Sequence, residues 1–350
     1  MILDEEYQQS TSEYQNAKII NASFGLQRSS GILDQESIEG IIRVAKDHVV
    51  VKSFGNTHGK PQEYLSTLTE IYQRSEFLEH AILVVNLTRD NLVHPTSNRP
   101  RDAWEYPAQI LGQQWTNDEK QRVMDNTISA LGSDVAGLDG PYMGPPRKFD
   151  VVSGTSVAVP TVTGALALVD GMGKQAGVEL QAWELKWILL NSARKDTFIP
   201  GKDGRSGTFI VSPEQASRTL QELANRDSAV NSMTDAGKAQ RILAALEKQF
   251  KESMSNKRPR IVFQHFDPGT YGVGFLDIRR LILLAERYIA LRKETPQLFQ
   301  GASLDQTLST LRQNMAFADN ESQIQAVQKI EDAFRKKRRL ERSNTKFNKY

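Results

Sequence analysis

Ser153-Gly154-Thr155-Ser156-Val157-Ala158-Val159-Pro160 runs directly into an apolar stretch, Thr161 to Val169, with Gly164 inside it. The stretch reads as a helix that begins beside Ser156. A helix N-terminus presents unpaired N–H groups and a partial positive charge, which suits an anion formed next to it. Gly154 has no Cβ, so another backbone can come close to the hydroxyl of Ser156. A nucleophile, a capping serine and a phosphate loop are the three readings of such a segment. The phosphate loop lacks its Gly-x-x-x-x-Gly-Lys-Ser/Thr signature, and no lysine follows closely.

Working outward, the segments before Ser156 alternate. Residues 18–24 are a short apolar run ending at Gly25, and 35–47 carry Ile38, Ile41, Ile42 and Ala45 at helical spacing. Residues 48–54 and 81–87 are β-branched and apolar, and 127–131 resume strand character. Strands that are apolar throughout, separated by a helix, predict a mainly parallel sheet with helices on both faces, an α/β fold. Residues 88–125 are polar, hold Pro95, Pro100 and Pro107, and read as a surface insertion. Residues 182–193 form an amphipathic helix; Trp183 and Trp187, four apart, read as packing residues.

From about 205 the chain reads as mainly helical. The expected organisation is a core over 1–204, a helical insertion over 205–269, a closing turn and helix over 270–293, and a helical extension over 294–350. Ser303 with Gln306 suggests a capping box, and a last helix is expected near Asn320. The basic run Arg335–Arg339 reads as a solvated helix end.

Composition narrows the chemistry. Of 350 residues, 39% are hydrophobic and 25% charged, as in ordinary globular proteins. The net charge of +2 gives no general electrostatic case for nucleic acid. Zero cysteines exclude disulfides, thiolate zinc sites and a thiol nucleophile. No uninterrupted apolar run reaches the ~18 residues of a membrane span. Met1 to Gln9 carries Asp4, Glu5 and Glu6 and no basic segment, unlike a secretory signal.

Three segments, in order, resemble the subtilisin-like serine proteases. Gly154-Thr155-Ser156-Val157-Ala158-Val159-Pro160 is similar to the nucleophile segment of that family. Ile20-Asn21-Ala22-Ser23-Phe24-Gly25 resembles the strand edge that pairs with extended substrate. Val50-Val51-Lys52-Ser53-Phe54-Gly55-Asn56 resembles the strand ending in the oxyanion asparagine. Tyr271-Gly272-Val273-Gly274 is similar to the turn that closes such domains. The resemblance implies peptide-bond hydrolysis through an acyl-enzyme on Ser156, with Asn56 donating to the oxyanion. It implies substrate contacts at Ser23, Phe24, Gly25, Ser53, Phe54, Gly55, Gly154 and Thr155, and a polypeptide substrate. Phe24 and Phe54 stand where smaller residues are usual, which affects the expected pocket. Calcium occurs in some members; no residue set here places a site, and no other cofactor is implied.

The resemblance departs from the family at the triad. There the order is Asp, His, Ser. Only 19 residues precede Ile20, and they contain no histidine. The five histidines are His48, His58, His80, His94 and His265. His58 follows Asn56 directly and reads as a loop residue. The resemblance is therefore to an N-terminally incomplete, C-terminal portion of the catalytic domain. Such a chain is expected to be nearly inactive alone, its triad completed by a missing N-terminal segment or another chain. The competing expectation is a non-catalytic binding protein that uses the same cleft.

Overall fold

The computed structural model describes residues 17–23, 35–61, 70–137, 150–200, 206–253, 260–299, 306–309 and 311. Phe24, Gly25, Ser303, the helix expected near Asn320 and the Arg335–Arg339 run lie outside them. The chain divides into two compact units, residues 1–195 with 267–296, and residues 196–266 with 297–350.

In the first unit four strands lie parallel in chain order: β1 (Ile19–Ala22), β2 (Val49–Ser53), β3 (Ala81–Leu87) and β4 (Thr127–Leu131). Parallel neighbours require crossovers. These are supplied by α1 (Gln35–Ala45), by α2 (Ser75–Leu78), and by α3 (Asp102–Leu111) with α4 (Asn117–Asp125). Every residue of β2 and of β3 is buried, so both pleat faces are covered. Residues 88–125, expected as a polar surface insertion, instead contain α3 and α4 and bury Ser97, Asn98, Asp102, Tyr106 and Trp115. The side chains of Ser97, Asn98 and Asp102 are hydrogen-bonded internally, which hydropathy alone does not reveal.

A short antiparallel pair, β5 (Val135–Gly137) and β6 (Asp150–Val152), leads into α5 (Thr155–Ala176). Helix α5 packs across all four parallel strands and ends at Gly177 in the left-handed conformation. Among the described residues it is the helix long and apolar enough to cross a membrane; here it is laid along the sheet. Gly132 allows this approach, because a Cβ there would lie 2.6 Å from the Ala158 nitrogen.

Behind α5 lie α6 (Ala182–Ser192) and, after α9 (Pro268–Tyr271), α10 (Ile278–Glu294). Fully buried Glu184 joins them, accepting from Tyr288 Oη at 2.7 Å and Arg292 Nε at 3.2 Å. The segment before α10 adds to the sheet: Ser129 N donates to Gly274 O, and Leu276 N to Ser129 O, both at 2.8 Å. Gly272 has φ +66°, and a Cβ there would meet Thr127 O at 2.1 Å.

Among the described residues of 205–269 helix predominates, as expected, but the second unit also holds strands that the sequence reading did not give. Its centre is a sheet, β7 (Thr197–Pro200) antiparallel to β8 (Ser206–Val211), and β8 parallel to β9 (Arg260–His265). Helices α7 (Pro213–Arg226) and α8 (Asp235–Ser253) cover it, with Phe209, Val211, Ile242 and Leu246 forming the core. Short strands flanked by charge lose out to the strong helical periodicity of α7 and α8 when read by eye.

One buried charge gives the first unit a testable pH response. Lys186 Nζ caps the carbonyls of Leu78 and Glu79, and burial outweighs the attraction of Glu79, pulling its ammonium down to about 7. In the unfolded chain a lysine titrates near 10.4. Between these values the unfolded state holds the extra proton, so this group makes stability rise with pH. Urea unfolding of wild type and Lys186→Met, compared from pH 7 to 10, should show wild type gaining on the variant, at most ~1.4 kcal/mol per pH unit. A difference that stays flat contradicts the assignment.

Candidate active site

The end of β2 and the start of α5 meet. Gly55 N donates to Thr155 Oγ1 at 3.2 Å, and Thr155 N donates to Asn56 Oδ1 at 2.9 Å. Thr155 is buried, while Asn56 and Ser156 are exposed beside it. Because Thr155 N–H can only donate, the Asn56 oxygen must face it, and Nδ2 is turned away. A Cβ built on Gly154 would lie 3.2 Å from Ser156 Oγ and 3.4 Å from Asn56 Nδ2. These two groups thus flank one small space that glycine leaves open.

At a helix start the first N–H groups lack intrahelical partners. Gly154 N is taken by Gly132 O at 2.9 Å and Thr155 N by Asn56. Ser156 N–H and Asn56 Nδ2 make no hydrogen bond among the described residues. Ser156 Oγ also makes none among them. The arrangement sets a hydroxyl and an amide donor on either side of one open space.

The other expected site residues are placed as follows. Ser23 is the residue after β1, and its Oγ donates to Asn21 Oδ1. Ser53 and Phe54 are interior. β2 is paired on both sides, the Phe54 ring packs against Tyr72 at 5.2 Å, and Ser53 Oγ accepts from Lys52 Nζ at 3.0 Å. Both side chains are thus buried. Lys52 is itself buried, and desolvation lowers its ammonium to about 8. Gly55 takes φ +107°, the left-handed side that glycine tolerates.

The sequence reading missed a cluster at the same loop. His58 Nδ1 lies 2.8 Å from Asp102 Oδ2, and Asp102 is 1% exposed. Arg99 N donates to the same oxygen at 2.9 Å. Tyr106 Oη lies 3.1 Å from His58 Nδ1 and accepts from Gly59 N at 2.8 Å; burial raises its phenol. The imidazole keeps Nε2 clear of protein partners among the described residues. Asp102 and Tyr106 are four apart and so share one helix face, the signal that was available. Asn98 is the other missed residue, with no pattern of its own to mark it. Among the described residues no group of three or more His, Asp or Glu side chains is placed to hold a metal.

A family model described as the subtilase family matches residues 2–212, more than half of the chain. No curated protein matches it. Among solved structures, the prenylagaramide maturation protease PagA aligns at 18% identity and TM-score 0.42, over 80% of this chain and 65% of that one. The patellamide maturation protease PatA aligns at 15% identity and TM-score 0.41, over 81% and 68%. The PatG macrocyclase in complex with peptide aligns at 18% identity and TM-score 0.36, over 55% and 46%. The chain thus spans 65% of the length of PagA.

The open space at Gly154 can be tested by filling it. Gly154→Ala should leave the fold intact and slow phosphonylation of Ser156 by a fluorophosphonate at least tenfold, measured by intact-mass spectrometry. Unchanged labelling contradicts the geometry.

Proposed function

The chain belongs to the subtilase family, and from that premise we propose that it is a subtilisin-like serine endopeptidase in which Ser156 is the nucleophile. The observation that carries this reading is the Thr155 N–H bond to Asn56 Oδ1 at 2.9 Å, which aims Asn56 Nδ2 toward the space beside Ser156 Oγ. In the proposed reaction the Ser156 oxygen attacks the carbonyl carbon of a peptide bond while its proton passes to a base, which then gives that proton to the departing amine. The charge that develops on the carbonyl oxygen is met by Asn56 Nδ2 and the Ser156 N–H. Collapse expels the amine and leaves an acyl-enzyme, which water then hydrolyses.

The substrate is a polypeptide. Among the described residues β1 pairs on one side only, with β2, and Ser23 follows it. Extended substrate would add at that edge through main-chain hydrogen bonds, with Ser23 beside it.

A serine hydroxyl needs a base. Ser156 Oγ has no hydrogen-bonded base among the described residues, so the proposed base comes from residues outside them or from another chain. On this reading the isolated chain is a slow enzyme at best, since loss of either serine or base in subtilisin costs about as much as loss of the whole triad. The same observation supports a second reading, a binding protein that holds peptide in this cleft without cutting it.

Fluorophosphonate labelling tests the proposal. Ser156 should be the single labelled residue, with labelling abolished in Ser156→Ala. Asn56→Leu should slow it about 10²–10³-fold, a value carried over from loss of the equivalent donor in subtilisin, a member of the same family. Label elsewhere, or a rate indifferent to Asn56→Leu, contradicts the assignment. Rapid hydrolysis of peptides by the isolated chain contradicts the proposed origin of the base. Labelling of the isolated chain should be slow; peptide binding with no labelling of Ser156 even after prolonged exposure selects the binding protein.

A further inference from the structure

We infer that Asn98 is a positioning residue for this site: its amide fixes the backbone on both sides of Asn56 and so determines where Asn56 points. The inference rests on the reading of Asn56 given above. Asn98 is 1% exposed and lies on the segment between β3 and α3. Its Nδ2 donates to Phe54 O at 3.0 Å, and its backbone N donates to Gly55 O at 2.9 Å. Its Oδ1 accepts from Thr57 N at 2.9 Å and from Thr57 Oγ1 at 3.2 Å. Two carbonyls before Asn56 and one N–H after it are therefore held by one residue.

This clamp has only one orientation. Turning the amide over would set Nδ2 against the Thr57 N–H and Oδ1 against the Phe54 carbonyl, donor on donor and acceptor on acceptor. A carboxylate at the position keeps the bonds to Thr57 but opposes the Phe54 carbonyl. Gly55 is matched to the clamp, because a Cβ there would lie 2.5 Å from Asn98 Nδ2.

The clamp is itself anchored to the sheet. Ser97 Oγ accepts from Asn86 N of β3 at 2.9 Å and donates to Asn98 O at 3.2 Å. Beyond Asn56 the same segment continues to hold the loop: His58 N donates to Thr96 O at 3.0 Å, and His58 meets Asp102. Position is thus passed from β3 through Ser97 and Asn98 to the turn that carries Asn56.

A purely structural asparagine would loosen the whole sheet when removed; a positioning one would act at Thr155. The amide of Thr155 reports this directly, because its acceptor is Asn56 Oδ1. Hydrogen exchange is measured on the full chain for wild type, Asn56→Ala, Asn98→Ala, Asn98→Asp and the Asn56/Asn98 double alanine. Asn56→Ala sets the reference for a lost acceptor. Both Asn98 variants should speed exchange at Thr155 at least tenfold while β3 amides such as Leu83 stay within about twofold. The double variant should exchange at Thr155 no faster than Asn56→Ala alone.

Thr155 protection unchanged in both Asn98 variants overturns the inference. So does an additive double variant, or acceleration of β3 amides equal to that at Thr155. If Asn98→Ala does not fold, the Asp variant decides the matter by the same criteria. Wild-type protection at Thr155 that responds to Asn98, with no labelling of Ser156, would retain the clamp and remove the proposed enzymatic role.

Discussion

One hydrogen bond, from the first N–H of α5 to the side chain of Asn56, organises the site. Helix starts leave N–H groups without intrahelical partners, and a buried one must be satisfied elsewhere. Thr155 solves this by drawing in an asparagine from the end of a neighbouring strand. The solution is asymmetric: the asparagine spends its oxygen and, among the described residues, keeps its two donors. The next N–H, at Ser156, also has no partner among the described residues. A structural requirement of the helix thereby sets an amide donor beside the Ser156 hydroxyl, and glycine at 154 leaves the space between them open.

Everything else in the first unit holds those two chain ends in register. The parallel sheet sets β2 and β4 at fixed spacing, and α5 lies across all four strands. Gly132 lets the end of β4 close on the first turn of α5, and Gly272 lets the later segment seal against β4. Buried polar groups are used as fasteners. Glu184 ties α6 to α10, Lys186 ties α6 to the carbonyls at the end of α2, and Asp102 ties α3 to the loop after Asn56. Each is costly to bury unless its partners are complete, so each specifies one arrangement of the elements it joins.

The parallel sheet, the start of α5 and the Asn56–Ser156 pair were legible in the sequence because each leaves a local trace. β-branched runs mark buried strands, and small residues beside Ser156 mark a close approach. The sheet of the second unit was not legible because its strands are short and α7 and α8 dominate the periodicity. Residues 88–125 were misread for a different reason. Ser97, Asn98 and Asp102 are polar and buried, and a polar residue is assigned to the surface unless its partners are known. Three of those partners, Phe54, Thr57 and His58, lie 41 to 44 residues away in sequence.

The central claim is that Asn56 Nδ2 and the Ser156 N–H share one anion. It is tested most directly by a crystal structure of the chain carrying a phosphonate on Ser156. The account predicts a phosphonyl oxygen within ~2.7–3.1 Å of both donors, with the Thr155 N–H still on Asn56 Oδ1. A phosphonyl group whose oxygens face solvent, with Asn56 Nδ2 bonded elsewhere, would contradict it.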